Sequence, residues 1–177
     1  MTVRLATAAD IALLDGMLSR MGQLWSEENI RAATTAPWIT VIHETDGKPD
    51  GFYCGLVNVA LKQTLIGPCD APHDSYQIWL KTVCEMGLVI EDELVRRLPK
   101  EDPTQWWTLT RIWPDTMGPL NNFIETSFNW KLAPNAGPVS GKEGYKILPG
   151  GCKESWRKRP NLVATAKAVL AALGTAT

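Results

Sequence analysis

The sequence is short of most residues that announce a chemistry. It has two histidines, three tyrosines and three phenylalanines in 177 residues. Its four cysteines, Cys54, Cys69, Cys84 and Cys152, are spaced too widely for a CxxC zinc or redox motif, so buried reduced thiols are expected. No apolar run approaches the ~18–20 residues needed to span a bilayer. Met1-Thr2-Val3-Arg4-Leu5 lacks the basic stretch and apolar core of a signal peptide, which predicts a cytoplasmic protein. Neither sign of charge dominates: 18 Lys and Arg against 19 Asp and Glu leave a formal −1, with none of the basic excess of a dedicated nucleic-acid binder.

What is present is enough to build a core. Hydrophobic residues make up 45% of the chain and charged residues 21%, which excludes global disorder. Eight tryptophans fit either an aromatic-rich interior or a surface that another protein covers.

The spacing predicts a strand over 2–6 and a helix from Asp10, with Ile11, Leu14, Met17, Leu18 and Met21 on one stripe. Ser26 heads a short second helix to about Thr35. Strands follow at 38–43 and 52–59, joined by the turn-rich Asp46-Gly47-Lys48-Pro49-Asp50-Gly51. A further strand from Leu61 is expected to stop at Gly67-Pro68, and the longest helix runs over about 76–98. A strand at 105–113, a helix at 116–128, strand starts at Trp130 and Gly144, and an Ala-rich helix at 162–173 complete the order. Such an order defines a mixed α/β protein, too irregular in its alternation to be doubly wound.

These segments resemble the GNAT N-acetyltransferase superfamily. Val3-Arg4-Leu5-Ala6-Thr7-Ala8-Ala9-Asp10 is similar to the family's IR-x-AT-x-x-D entry into its first helix. Asp46-Gly47-Lys48 with Gly51-Phe52 is similar to its DGK-x-x-G hairpin. Asn122-Phe123-Ile124-Glu125-Thr126-Ser127-Phe128 resembles the N-x-x-x-x-x-Y-x-x-x-GF region. The resemblance covers about 2–148 and is nearest to the divergent GNAT-like proteins of tailed phages, some of which assist virion assembly. It implies a mostly antiparallel central sheet flanked by helices. It also divides the chain into a GNAT-like domain, 1–149, and a basic linker with a C-terminal helix, 150–177.

By the same resemblance, acetyl-CoA or another acyl-CoA is the donor and an amine on a small molecule or protein the acceptor. The donor would lie on Leu65, Ile66, Gly67, Asp74 and Ser75. In the family, a Q/R-x-x-G-x-G/A loop presents backbone N–H groups and a helix start to the donor's pyrophosphate. The corresponding Cys69–Tyr76 stretch has no glycine and carries Asp70 and Asp74 instead. Phe123 stands where the family often has a proton-donating tyrosine, and Ser127 replaces its glycine.

Candidate acid–base groups are His73 with Asp70, in the loop before the long helix, and His43, beside Glu44 at a strand end. Asp70-x-x-His73 lacks further metal ligands, so no metal is expected. Lys153-Glu154-Ser155-Trp156-Arg157-Lys158-Arg159 reads either as a solvated junction or as a contact for phosphates with Trp156 stacked on a base. Two functions follow: an acyltransferase with an atypical CoA site, or a catalytically inactive binding or phage-assembly module. The second would act on a protein partner or a second copy through its tryptophans and last helix. Either would work in the cytoplasm, the host's if the chain is phage-encoded, and neither in a membrane.

Overall fold

The computed structural model of the protein describes residues 1–112 and 132–174. The helix expected at 116–128, with Phe123, Ser127 and Phe128, and the strand start at Trp130 lie outside the described residues. The elements are β1 (Thr2–Leu5), α1 (Ile11–Arg20), α2 (Glu27–Ala33), β2 (Trp38–Thr45), β3 (Lys48–Asn58), β4 (Gln63–Asp70), α3 (Tyr76–Arg97), β5 (Trp107–Ile112), β6 (Gly144–Ile147), β7 (Lys153–Lys158) and α4 (Arg159–Gly174). The strands form one sheet in the order β1-β2-β3-β4-β5-β7-β6. Pairs β1–β2, β2–β3, β5–β7 and β6–β7 are antiparallel, and β4–β5 is parallel. The mixed, mostly antiparallel sheet with a C-terminal helix is the architecture expected from the sequence.

The chain forms two compact units. Unit 1 comprises Met1–Val57, Gly67–Glu101 and Ala166–Thr177. Its core joins Leu14, Met17 and Leu18 of α1 and Ile30 of α2 to Phe52 and Cys54 of β3. Each such large aliphatic or aromatic side chain contributes about 1.5–3 kcal/mol by leaving water. Arg97, at the end of α3, donates to the Trp38 carbonyl at 2.7 Å and so ties that helix to the start of β2. At the chain's start, Arg4 spans Glu44 and Asp10, and the Asp10 carboxylate also accepts from the Thr7 backbone, closing a capping box. Arg4 holds the Asp10 carboxyl down at about 2.

Unit 2 comprises Asn58–Ile66 and Asp102–Thr165. Here the parallel ladder pairs Gln63–Ile66 with Trp107–Thr110, and β7 lies between β5 and β6. Trp106 is buried, and its carbonyl accepts from the Arg159 backbone where α4 begins.

Three local expectations change. The hairpin turn is Asp46-Gly47 alone, both with positive φ, while Lys48, Pro49 and Asp50 already belong to β3. Two left-handed residues make the turn whose twist suits a tight hairpin, and pairing overrides the proline-rich composition beyond it. β4 does not stop at Gly67-Pro68 but runs on to Asp70. Gly67 is there because a Cβ would press on the Trp38 ring at 3.3 Å, not because the chain turns. Lys153–Lys158 forms the inner strand β7 rather than a basic junction. Its strand period is invisible to hydropathy because charged residues occupy both faces.

Candidate functional site

In unit 1, β4 ends against the bulged hairpin of β2 and β3. Glu44 faces Pro49 and His43 faces Gly51, which leaves Asp50 as the extra residue of a bulge. Gly51 admits the end of β4: a Cβ there would stand 2.9 Å from the Asp70 carbonyl oxygen and 3.3 Å from the Ala71 Cα. Only glycine tolerates that approach without a backbone shift.

The bulge turns Asp50 onto His43, with Nδ1 and Oδ1 2.5 Å apart. His43 is 1% exposed, and its Nε2 has no hydrogen-bond partner. The sequence reading paired His43 with its neighbour Glu44 at a surface strand end. Instead, Glu44 serves Arg4 and the imidazole is enclosed. Alternation puts adjacent strand residues on opposite faces, so the neighbour in sequence is the wrong partner.

His73 and Asp70 do come together. His73 Nε2 lies 3.1 Å from Asp70 Oδ1, which also accepts from the Ala71 backbone at 3.0 Å. His73 is 75% exposed while the Asp70 side chain is mostly covered. Ser75 caps α3 by accepting from the Ile78 N–H at 3.1 Å, and the first turn of that 22-residue helix holds no acid. Asp74 is exposed immediately before the cap.

The backbone at this corner suits an anion, since a long helix presents its N–H groups there. Its side chains oppose one: two carboxylates, no glycine, and one imidazole already engaged by Asp70. Unit charges ~4 Å apart repel by about 1–4 kcal/mol across plausible dielectrics. At this corner the main chain and the side chains therefore act on an anion in opposite senses.

In unit 2, Leu65 and Ile66 face Leu109 and Thr110 at the last two pairs of the parallel ladder. One residue further along β5, the register runs Arg111–Glu154–Lys146 across three strands. Glu154, 6% exposed, accepts from Arg111 Nε at 2.9 Å, Lys146 Nζ at 3.0 Å and Trp156 Nε1 at 3.2 Å. Together these donors outweigh burial and hold its carboxyl below the usual range. Sequence reasoning missed the cluster, because cross-strand register alone joins residues from three segments. An acid inside a basic run was the available signal. Trp156 is not a free stacking platform, since its ring packs on Gly137 and its N–H serves Glu154.

All four cysteines are reduced. Burial pushes the Cys54 and Cys84 thiols up to about 12 and raises Cys69 as well. None of these three is activated as a nucleophile.

No protein-family model and no curated protein matches the sequence. Solved structures do match in shape, and three N-acetyltransferases among them share the fold. An N-acetyltransferase from Staphylococcus aureus Mu50 is 12% identical, with a TM-score of 0.55 over 88% of this chain and 94% of that one. An aminoglycoside 6'-acetyltransferase type Ii is 13% identical at a TM-score of 0.56, over 88% and 94%. Aminoglycoside acetyltransferase AAC(6')-Ib, in complex with coenzyme A and kanamycin, is 16% identical at 0.56, over 93% and 98%. At such identities the likeness is one of fold, and fold alone does not carry activity.

Proposed function

We propose that this protein is an N-acyltransferase that takes its acyl group from an acyl-CoA and passes it to an amine. The observation that supports this reading is a fold shared with N-acetyltransferases over about nine-tenths of both chains. The parallel β4–β5 pair, with α3 following β4 directly, supports it further. The donor supplies a thioester-activated acyl group. Leu65, Ile66 and Gly67 on β4 hold it by their backbone, and Ser75 and the start of α3 receive its diphosphate. Asp74 opposes that diphosphate and keeps the affinity low. His73 takes the proton of the attacking amine, with Asp70 orienting the imidazole. Enclosed His43 takes no part, and the described residues include no cluster that could hold a metal.

A second reading is a binding or phage-assembly module in which acyl transfer has been lost. The two carboxylates at the β4–α3 corner favour it.

One titration decides. Acetyl-CoA and free CoA are added to the wild type and to the Asp70→Asn/Asp74→Gly variant, and the melting temperature is followed. A ligand at a hundred times its Kd stabilises by about 2.7 kcal/mol. The acyltransferase reading expects a saturable rise in the wild type and a larger one in the variant. A rise in the variant alone favours lost activity with a closed site. Silence from both removes the acyltransferase reading.

A further inference from the structure

Unit 2 carries nine Lys and Arg against five Asp and Glu, a formal +4 in a chain whose total is −1. Most of this charge is scattered or committed: Lys153 lies over the Tyr145 ring at 5.3 Å and Lys158 over the Trp107 ring at 5.7 Å. Arg111 and Lys146 are different. They converge from two strands on the buried Glu154 and retain 49% and 35% of their side-chain surface.

One cation is enough to compensate a carboxylate, so the trio keeps one positive charge in excess. Among the described residues only the Nε of Arg111 is used on Glu154, which leaves the terminal N–H groups of the guanidinium able to meet a second planar acceptor. Fixing both cations on a buried acid also removes much of the side-chain entropy they would lose in gripping a ligand.

We infer that Arg111 and Lys146, positioned by Glu154, form an anion-binding site that takes a carboxylate or phosphate group on the acyl acceptor. The inference rests on the acyltransferase reading for the word acceptor. Its location supports that reading: Arg111 follows Thr110, the last β5 residue paired with β4, where Leu65 and Ile66 are proposed to hold the donor. The acceptor class is therefore an amine that also bears an acidic group, such as an amino acid, a peptide end or a phosphorylated amine. That is opposite in charge to the polycationic kanamycin bound by the structurally similar AAC(6')-Ib. A nucleic acid is the less favoured ligand, because one side of the Trp156 ring lies against Gly137 and its N–H is taken by Glu154.

Thermal-shift titrations test it with glycylglycine, its neutral-ended analogue glycylglycinamide, O-phosphoethanolamine and kanamycin. The wild type should bind glycylglycine or phosphoethanolamine at least tenfold more tightly than the amide or kanamycin, and less so in high salt. Whichever of the two binds tighter identifies carboxylate or phosphate as the source. Lys146→Met should weaken that binding at least tenfold and Lys146→Arg should restore it. Neither variant should alter the shift produced by acetyl-CoA.

Equal binding of acid and amide, or no effect of Lys146→Met, overturns the site. So does a single-stranded oligonucleotide that binds more tightly than either small anion. If acetyl-CoA is silent while the anionic probes behave as expected, the acyltransferase reading falls and the anion site stands. The reverse pattern removes the anion site alone.

Discussion

Unit 1 holds nine Lys and Arg against fourteen Asp and Glu, and unit 2 the same nine against five. Both bury an acid among more exposed cations, but at different places in the fold. In unit 1 an acid is gripped by arginine forks: Asp10 by Arg4, and Glu93 by Arg96 and Arg97 at 2.6–2.7 Å. In unit 2 one buried acid gathers two half-exposed cations. A gripped acid fixes backbone, since Asp10 closes the entry to α1 and Glu93 anchors the last turns of α3. Glu154 instead joins three strands and leaves Arg111 and Lys146 half-exposed beside it.

The largest expected effect tests that contrast directly. Asp10→Asn breaks the bidentate Arg4 fork and weakens the capping box, and should cost about 2–3 kcal/mol in urea unfolding. Glu154→Gln should cost less, about 1–2 kcal/mol, because its two cations can turn to water. The reverse order would show that the unit 2 trio is chiefly structural.

Gly51→Ala comes next. Its Cβ meets backbone at 2.9 Å, which predicts a loss of about 1–3 kcal/mol. Gly87→Ala, in the interior of α3 with only ordinary contact to Tyr53 at 3.6 Å, should be neutral or gain up to about 1 kcal/mol. Equal effects would mean that the corner of β4 and α3 is looser than its packing implies.

Acid tests the gripped carboxyls of unit 1. The Asp10 and Glu93 carboxyls are each held down at about 2 by their arginines, from ordinary values of 3.8 and 4.5. A depressed carboxyl stabilises the fold fully above its unfolded pKa, and that contribution fades as pH falls toward the folded value. Hydrogen exchange followed by mass spectrometry should therefore show β1–α1 and the end of α3 losing protection between about pH 4.5 and pH 2. Protection that persists unchanged to pH 2 would show that the arginines do not hold these carboxyls down.

The smallest effect concerns the thiols. With Cys54 and Cys84 pushed up to about 12 and Cys69 raised too, iodoacetamide at pH 8 should leave these three unmodified in the native protein. In urea it should label them. Rapid native labelling would place one of them nearer solvent than its burial indicates.

Much of this fold was legible in the chain. The stripe of Leu14, Met17 and Leu18 marked α1, Ser26 marked the start of α2, and the turn-rich stretch from Asp46 marked the hairpin, because each signal is local. The loop partners His73 and Asp70 were also legible, being three residues apart. The partner of His43 was not, since a bulge brought in Asp50 from seven residues away. Nor was the role of Gly67, which reads as a breaker until Trp38 is seen beside it. β7 was hidden for a different reason: its alternation is between kinds of charge, to which a hydrophobic period is blind.

Sequence alone therefore determined the order of the described elements apart from β7, the start of α2, the place of the hairpin and the absence of a glycine loop before α3. All of these are decided over a few residues by backbone sterics and hydrogen bonding. The tertiary structure decided which acid meets which base, and so which charges are fixed and which are presented. Glu154, Arg111 and Lys146 lie on three strands, and only the register of the sheet could have made neighbours of them.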